Sequence, residues 1–283
     1  MTRRQLLLAA SGSVAAVTAG QELLRRRSES DRTLRLLARS RTTTGDTVQP
    51  VVRSLLWRAS RTAIIVCDMW DDHYCKSSVS RLEAMIPEMN RVLDGARSLG
   101  VSVIHAPSGT MDFYAGTSQR AAVRTAPYAD PPVPIAGWCD LDPAAEAPLP
   151  IDDEHPCDDE FVGDRVRRWT RQHPDLRIAE GDGISDDGQE IFNYFALKGI
   201  RNVAIMGVHT NICVLGRPFG IRQQVRLGMN VALVRDLTDS MYDPRDSPFV
   251  SHDRGTELVI EHIERYWCPS ILGADLAEEH LAS

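Results

Sequence analysis

The chain has 283 residues, 43% of them hydrophobic, 25% charged and 6% aromatic, with 19 glycines and 16 prolines; this is the profile of one large globular domain or two small ones and excludes a disordered polypeptide or a collagen-like repeat. Beyond the extreme N-terminus there is no uncharged apolar run of about eighteen residues, and there is no internal period or heptad series, which excludes multi-span membrane proteins, solenoids and coiled coils. The formal net charge of −7 is unevenly spread: residues 1–62 hold 12 arginines against four acids and the remainder 20 basic and 35 acidic residues, so the body is too acidic to bind nucleic acid through its phosphates.

In chain order, Arg3 and Arg4 stand just ahead of an apolar Leu/Ala stretch that ends in a small-residue site at Val17, Thr18 and Ala19. This reads as a Tat-type export signal over residues 1–20, placing the mature protein in the periplasm or outside the cell with no stable membrane insertion after signal removal. A cytoplasmic protein with an N-terminal extension is the alternative. Residues 21–50, rich in Arg, Ser and Thr, read as a flexible linker, and residues 51–283 as the folded domain.

Five β-branched runs mark that domain: 63–68, 101–107, 175–180, 202–208 and 230–236. Most are continuously apolar, as strands buried on both faces of a parallel sheet are. The first helix is expected to start at Ser80 and Glu83, in capping-box spacing, and to present Leu82, Met85, Ile86, Met89, Leu93 and Ala96 on one face before stopping at Gly100. Further helices are expected over 186–198 and 213–227, the latter interrupted by Pro218, and an amphipathic C-terminal helix carries Leu258, Val259, His262, Ile263 and Tyr266 on one face. Strands alternating with helices predict a three-layer α/β/α fold around a mainly parallel sheet of about six strands. Residues 107–174 break this rhythm as a long insertion holding 10 of the 16 prolines. Of the six cysteines, Cys139 and Cys157 are the pair nominated for a disulfide, and Cys67 reads as a small buried hydrophobe.

Ligands of open parallel sheets sit beyond the carboxyl ends of the strands. Asp68 closes the first apolar run, and Cys213 stands where the helix after the fourth run begins, in GVHTNICV. A thiol there with a carboxylate at the same sheet edge can form a nucleophile and its proton acceptor. Trp70, His73 and Tyr74 could wall a small planar substrate. Lys76, eight residues after Asp68, is the lysine nearest to it in sequence. Arg217 is a candidate anchor for a substrate carboxylate, next to Phe219 in a stretch whose geometry Pro218 leaves open.

A strand ending in Asp, followed by G-x-x-T-x-x-C-V at a later strand-to-helix junction, resembles the isochorismatase-like cysteine hydrolases, which include nicotinamidases and N-carbamoylsarcosine amidohydrolases; the resemblance covers about residues 60–275. It implies Cys213 as nucleophile, Asp68 as general acid/base, a cis peptide between Val208 and His209, and an oxyanion hole from the backbone amides of His209 and Cys213. It further implies a small-molecule substrate with an amide or carbamoyl C–N bond, and a homo-oligomer. The family's catalytic lysine is replaced by Glu180, since the chain's two lysines are Lys76 and Lys198. That departure keeps open a catalytically impaired ligand-binding or scaffold protein. No cofactor is expected; a metal variant would gather His73, His105, Asp112 and Glu180, whose spacing matches no metal motif.

Overall fold

The computed structural model describes residues 32–45, 47–160 and 163–278; the expected export signal and the first third of the expected linker lie outside them. Among the described residues a single sheet of eight strands forms, in the order β2-β1-β8-β7-β6-β3-β4-β5. Its strands are β1 (Thr33–Thr44), β2 (Thr47–Arg58), β3 (Thr62–Cys67), β4 (Ser102–Ala106), β5 (Gly183–Ile184), β6 (Asn202–Val208), β7 (Asn230–Asp239) and β8 (Ser270–Ile271). From β5 through β8 every neighbouring pair is parallel, and β1 joins β8 and β2 antiparallel. The fold is therefore the expected α/β class, with two more strands than expected.

Those two strands correct the reading of a linker over 21–50. From residue 33 onward the chain is a β-hairpin, in which Leu34, Leu36 and Ala38 are buried and alternate with exposed residues. Burial at every second position is what a strand with one face on a core produces. The helix α1 (Lys76–Leu99) also departs from expectation, starting four residues ahead of Ser80. Its first turn is capped from the insertion: the backbone N–H groups of Lys76 and Ser77 donate to the two carboxylate oxygens of Asp159 at 2.7 and 2.9 Å. A carboxylate at that helix end satisfies orphan donors and opposes the dipole. Gly100 stops the helix in the left-handed conformation, φ 96°.

Alternate positions along each strand face opposite layers. Ile64, Val66, Val103, Ala204, Met206, Ala232 and Val234 pack with Leu82, Ile86, Met89 and Leu93 of α1. On the other face Ile65, Ile104, Val203, Ile205 and Leu233 pack with α3 (Gly188–Lys198), α5 (Ile221–Arg226) and α6 (His252–Tyr266). The expected helix over 213–227 is two short ones, α4 (Cys213–Gly216) and α5, separated at Pro218. The shorter α2 (Ser118–Arg124) and α7 (Ala274–Ala277) complete the set; no helix among the described residues is long and apolar enough to cross a membrane.

The run 175–180 forms no strand. The backbone of this segment is satisfied by a side chain instead: Asn90 Nδ2 donates to the Asp175 carbonyl at 2.8 Å and Asn90 Oδ1 accepts from the Arg177 amide at 2.9 Å. The third parallel position is taken by β5, whose Gly183 and Ile184 pair with Ile104 and His105. The disulfide joins Cys75 to Cys157, while Cys139 is a free, buried thiol, correcting the nominated Cys139–Cys157 pair.

Candidate active site

Asp68 follows β3 directly and adopts a left-handed conformation, φ 48°, one of the few non-glycine residues to do so here. This turns its fully buried carboxylate onto two donors: the Ser108 amide reaches Oδ1 at 2.7 Å and Arg217 Nε reaches Oδ2 at 2.9 Å. The Cys213 thiol, at the start of α4, and this carboxylate act on each other's proton affinity. Ahead of Cys213 the Val208–His209 peptide is cis. Gly207 makes the close packing of β6 on β3 feasible, because a Cβ there would collide with the backbone carbonyl of Cys67.

Burial dominates the electrostatics. Desolvation pushes the Asp68 carboxyl above its usual range, against the opposing pull of Arg217 and of the thiol and Ser108 hydrogen bonds. Desolvation likewise pushes the Cys213 thiol well up, and the Asp68 charge adds to this while Arg217 works against it. The Arg217 guanidinium is raised despite burial because Asp68 lies beside it. The Asp68 and Cys213 shifts both favour the protonated forms, and Arg217 opposes each.

An aromatic group flanks this centre. Trp70 stacks on Trp169 with ring centroids 4.3 Å apart, His73 on Trp169 at 5.4 Å, and Tyr74 packs on His73 at 4.3 Å. Burial lowers His73 to about 4, and burial together with His73 lowers His209 to about 3, so both imidazoles are neutral near pH 7. His209 Nε2 is 2.6 Å from Ser78 Oγ. On the other side Trp138 lies over the Arg217 guanidinium at 5.5 Å and against Gly216, where a Cβ would come within 2.6 Å of its ring.

Several sequence-predicted residues lie elsewhere. Glu180 is an exposed turn residue on the amino side of β5, whereas Asp68 and Cys213 lie past the carboxyl ends of their neighbouring strands. Lys76 is 60% exposed and pairs with Asp72. Phe219 is a core residue of the helical layer. The four candidate metal ligands are not assembled: His105 is enclosed between Gln172 Oε1 and Asp182 Oδ2 at 2.8 and 3.0 Å, and Asp112 and Glu180 are exposed. The cluster of ligand-type atoms among the described residues is Cys75, Cys157 and Asp159, of which the cysteines are bonded to each other.

Trp138, Trp169 and Ser108 were not legible as site residues. The first two stand in an insertion without periodicity, and only their aromatic character in a proline-rich stretch distinguishes them. Asp239 was also missed, because β7 runs three residues past the expected end; it accepts from His252 Nε2 at 2.9 Å and from Arg81 Nε at 3.0 Å.

The fold and site together define an α/β protein with a buried thiol, carboxylate and guanidinium gathered at the carboxyl edge of a mainly parallel sheet. No family model and no curated relative matches the chain. Among solved structures it is similar to a cysteine hydrolase from Pseudomonas syringae pv. phaseolicola 1448A, at 18% identity and a TM-score of 0.49, over 81% of this chain and 96% of that one. It is similar as well to an isochorismatase from Pseudomonas putida KT2440 (12% identity, TM-score 0.45, 77% and 91% covered) and to an isochorismatase family protein from Burkholderia thailandensis (13%, 0.44, 76% and 93%). The chemistry of the site rests on the chain's own residues.

Proposed function

We propose that the chain is a cysteine hydrolase that cleaves the C–N bond of a small amide or carbamoyl compound through a covalent intermediate on Cys213. The observation that carries this reading is the buried Asp68 carboxylate, held by the Ser108 amide and Arg217 Nε at 2.7 and 2.9 Å, beside the Cys213 thiol whose proton affinity it raises. As the sulfur attacks the substrate carbonyl carbon, Asp68 takes its proton and a C–S bond forms. The oxyanion meets the backbone amides of His209 and Cys213, donors fixed before charge develops. Asp68 then gives its proton to the departing amine as the C–N bond breaks. Water, deprotonated by the same carboxylate, cleaves the thioester and returns the thiol. The stacked Trp70, His73 and Trp169 suit a flat apolar substrate face.

Two features support export as part of the same proposal. The paired Arg3 and Arg4 precede an apolar stretch, and the Cys75–Cys157 disulfide belongs in an oxidising compartment.

Intact-mass analysis of the protein with a panel of small amides and carbamoyl compounds tests the activity, with Cys213→Ser alongside. Turnover of a panel member with a transient acyl adduct on Cys213, lost in the variant, is the expected result. Ligand binding without turnover or adduct would overturn it and leave the ligand-binding reading.

A further inference from the structure

A thiol and a carboxylate sharing one proton in a buried site carry one negative charge between them, and leaving that charge unbalanced out of water is costly. The chain lacks a lysine to balance it. Lys76 is engaged by Asp72 at the surface, and Lys198 ends α3, its Nζ over the Tyr194 ring at 5.5 Å. Past β5 stands Ser185, whose hydroxyl donates to Glu190 at 2.6 Å; the nearby Arg120 is itself paired with Glu190.

The cation comes instead from the chain just after the nucleophile. Arg217 ends α4 with φ −61° and ψ 155°, an extended conformation. Pro218 explains this, since the residue before a proline is pushed out of the helical region. The turn is closed by the Gly220 amide on the Arg217 carbonyl at 2.8 Å. Had α4 continued as a regular helix, residue 217 would not be held in this extended geometry; broken here, the chain delivers Nε to Asp68 at 2.9 Å. Trp138 covers the guanidinium's face. The ionisable groups acting on Asp68 and Cys213 are Arg217, each other and, beside them, the buried Cys67 thiol, which burial holds protonated.

We infer that Arg217 is the positioning residue that supplies the positive charge for the Asp68–Cys213 pair, in place of the lysine that the resemblance implies. This rests on the cysteine-hydrolase reading for its purpose, though not for its test. Because a guanidinium stays protonated throughout the working range, its charge is constant with pH. It favours the form in which the pair has lost a proton, and so sets the pH at which sulfur becomes nucleophilic.

The test is the rate of Cys213 alkylation by iodoacetamide as a function of pH, read by intact mass. In this step the sulfur–carbon bond forms, iodide leaves and the thiol proton passes to Asp68 or water. Wild type, R217K, R217Q and R217M are compared, each with its thermal unfolding midpoint; R217M fills the space without charge should R217Q not fold. The expected result is that removing the charge slows labelling at neutral pH by about tenfold or more and moves the profile up by about one pH unit, a tenfold change in the ionised fraction. R217K should recover most of the wild-type profile. A folded R217Q or R217M with the wild-type profile would overturn the inference, as would R217K labelling no better than R217Q. Alkylation needs no substrate, so the two readings fail separately: a shifted profile without turnover of any amide leaves Arg217's role standing and removes the hydrolase.

Discussion

Two buried carboxylates in this molecule face arginines five residues apart, and their surroundings set them to different work. Glu146, from the insertion, accepts from Arg222 Nε at 2.7 Å, His262 Nε2 at 2.8 Å and Trp267 Nε1 at 2.8 Å. Although burial opposes it, these donors hold its carboxyl below the usual range. Asp68 has Arg217 and the Ser108 amide, and its remaining neighbour is a thiol that can itself ionise; burial wins and the carboxyl is raised. Glu146 is saturated with donors, so it stays a carboxylate and fastens the insertion to α5 and α6. Asp68 has the Ser108 amide and Arg217 and, in the third place, a group with which it can trade a proton. Burial and an arginine partner alone do not distinguish a reactive carboxylate from a structural one; the identity of the last neighbour does.

The contrast is broken most sharply by neutralising each carboxylate in turn. Asp68→Asn should lower turnover of any substrate found by about 10²–10⁴-fold, the range of a lost general acid/base. Glu146→Gln should leave the Cys213 alkylation profile unchanged and instead cost about 3–5 kcal/mol of stability, as breaking a buried ion pair does, measured by denaturant unfolding. A Glu146→Gln protein of full stability with altered labelling would reverse the two assignments.

Acid sharpens the same comparison. His73 and His209 beside the active centre are lowered from 6.5 to about 4 and about 3 by burial, so between those values and 6.5 the unfolded chain binds more protons than the folded one. Stability should therefore fall as pH drops below about 6.5 and go on falling towards pH 4, and a His73→Phe variant should flatten the upper part of that slope in thermal melts. A slope unchanged in the variant would remove His73 as its source. The smallest effect is expected at the exposed turn: Glu180→Gln should change turnover by less than about twofold, and a loss comparable to that of Asp68→Asn would return Glu180 to the site.

Asp68 and Cys213 were legible because one closes a continuously apolar run and the other opens the helix after another such run, and these runs report strands buried on both faces whatever lies around them. The segment 175–180 carried a similar signal and misled, because Leu176 is buried while the backbone around it bonds to the Asn90 side chain. Displacing the third parallel strand to Gly183 moved Glu180 off the sheet's carboxyl edge. In the N-terminal hairpin the opposite occurred. Its arginines and threonines suggested a solvated segment, yet the period-two series Leu34, Leu36, Ala38 was already in the sequence. Part of its charge is absorbed by α6, where Arg39 pairs with Glu264 and Glu257, and Arg41 with Glu264 and Glu261. Arg217 was read as a contact for substrate because the sequence shows Pro218 as a break in a helix but not where the broken chain points. Trp138 and Trp169 join the site through loop paths that no periodicity encodes.

The bond between Cys75 and Cys157, 82 positions apart, closes a covalent ring. The ring contains α1, β4, α2 and the insertion as far as Cys157, Trp138 included, and leaves Trp169 and Cys213 outside. A protease that cuts once inside this ring opens it without severing the molecule. The nicked protein would migrate as one chain on a non-reducing gel and as two after a thiol reagent, whereas a cut between 158 and 212 would give two pieces in either lane. Gel mobility thus maps which stretch of the insertion is open to attack while the fold stands.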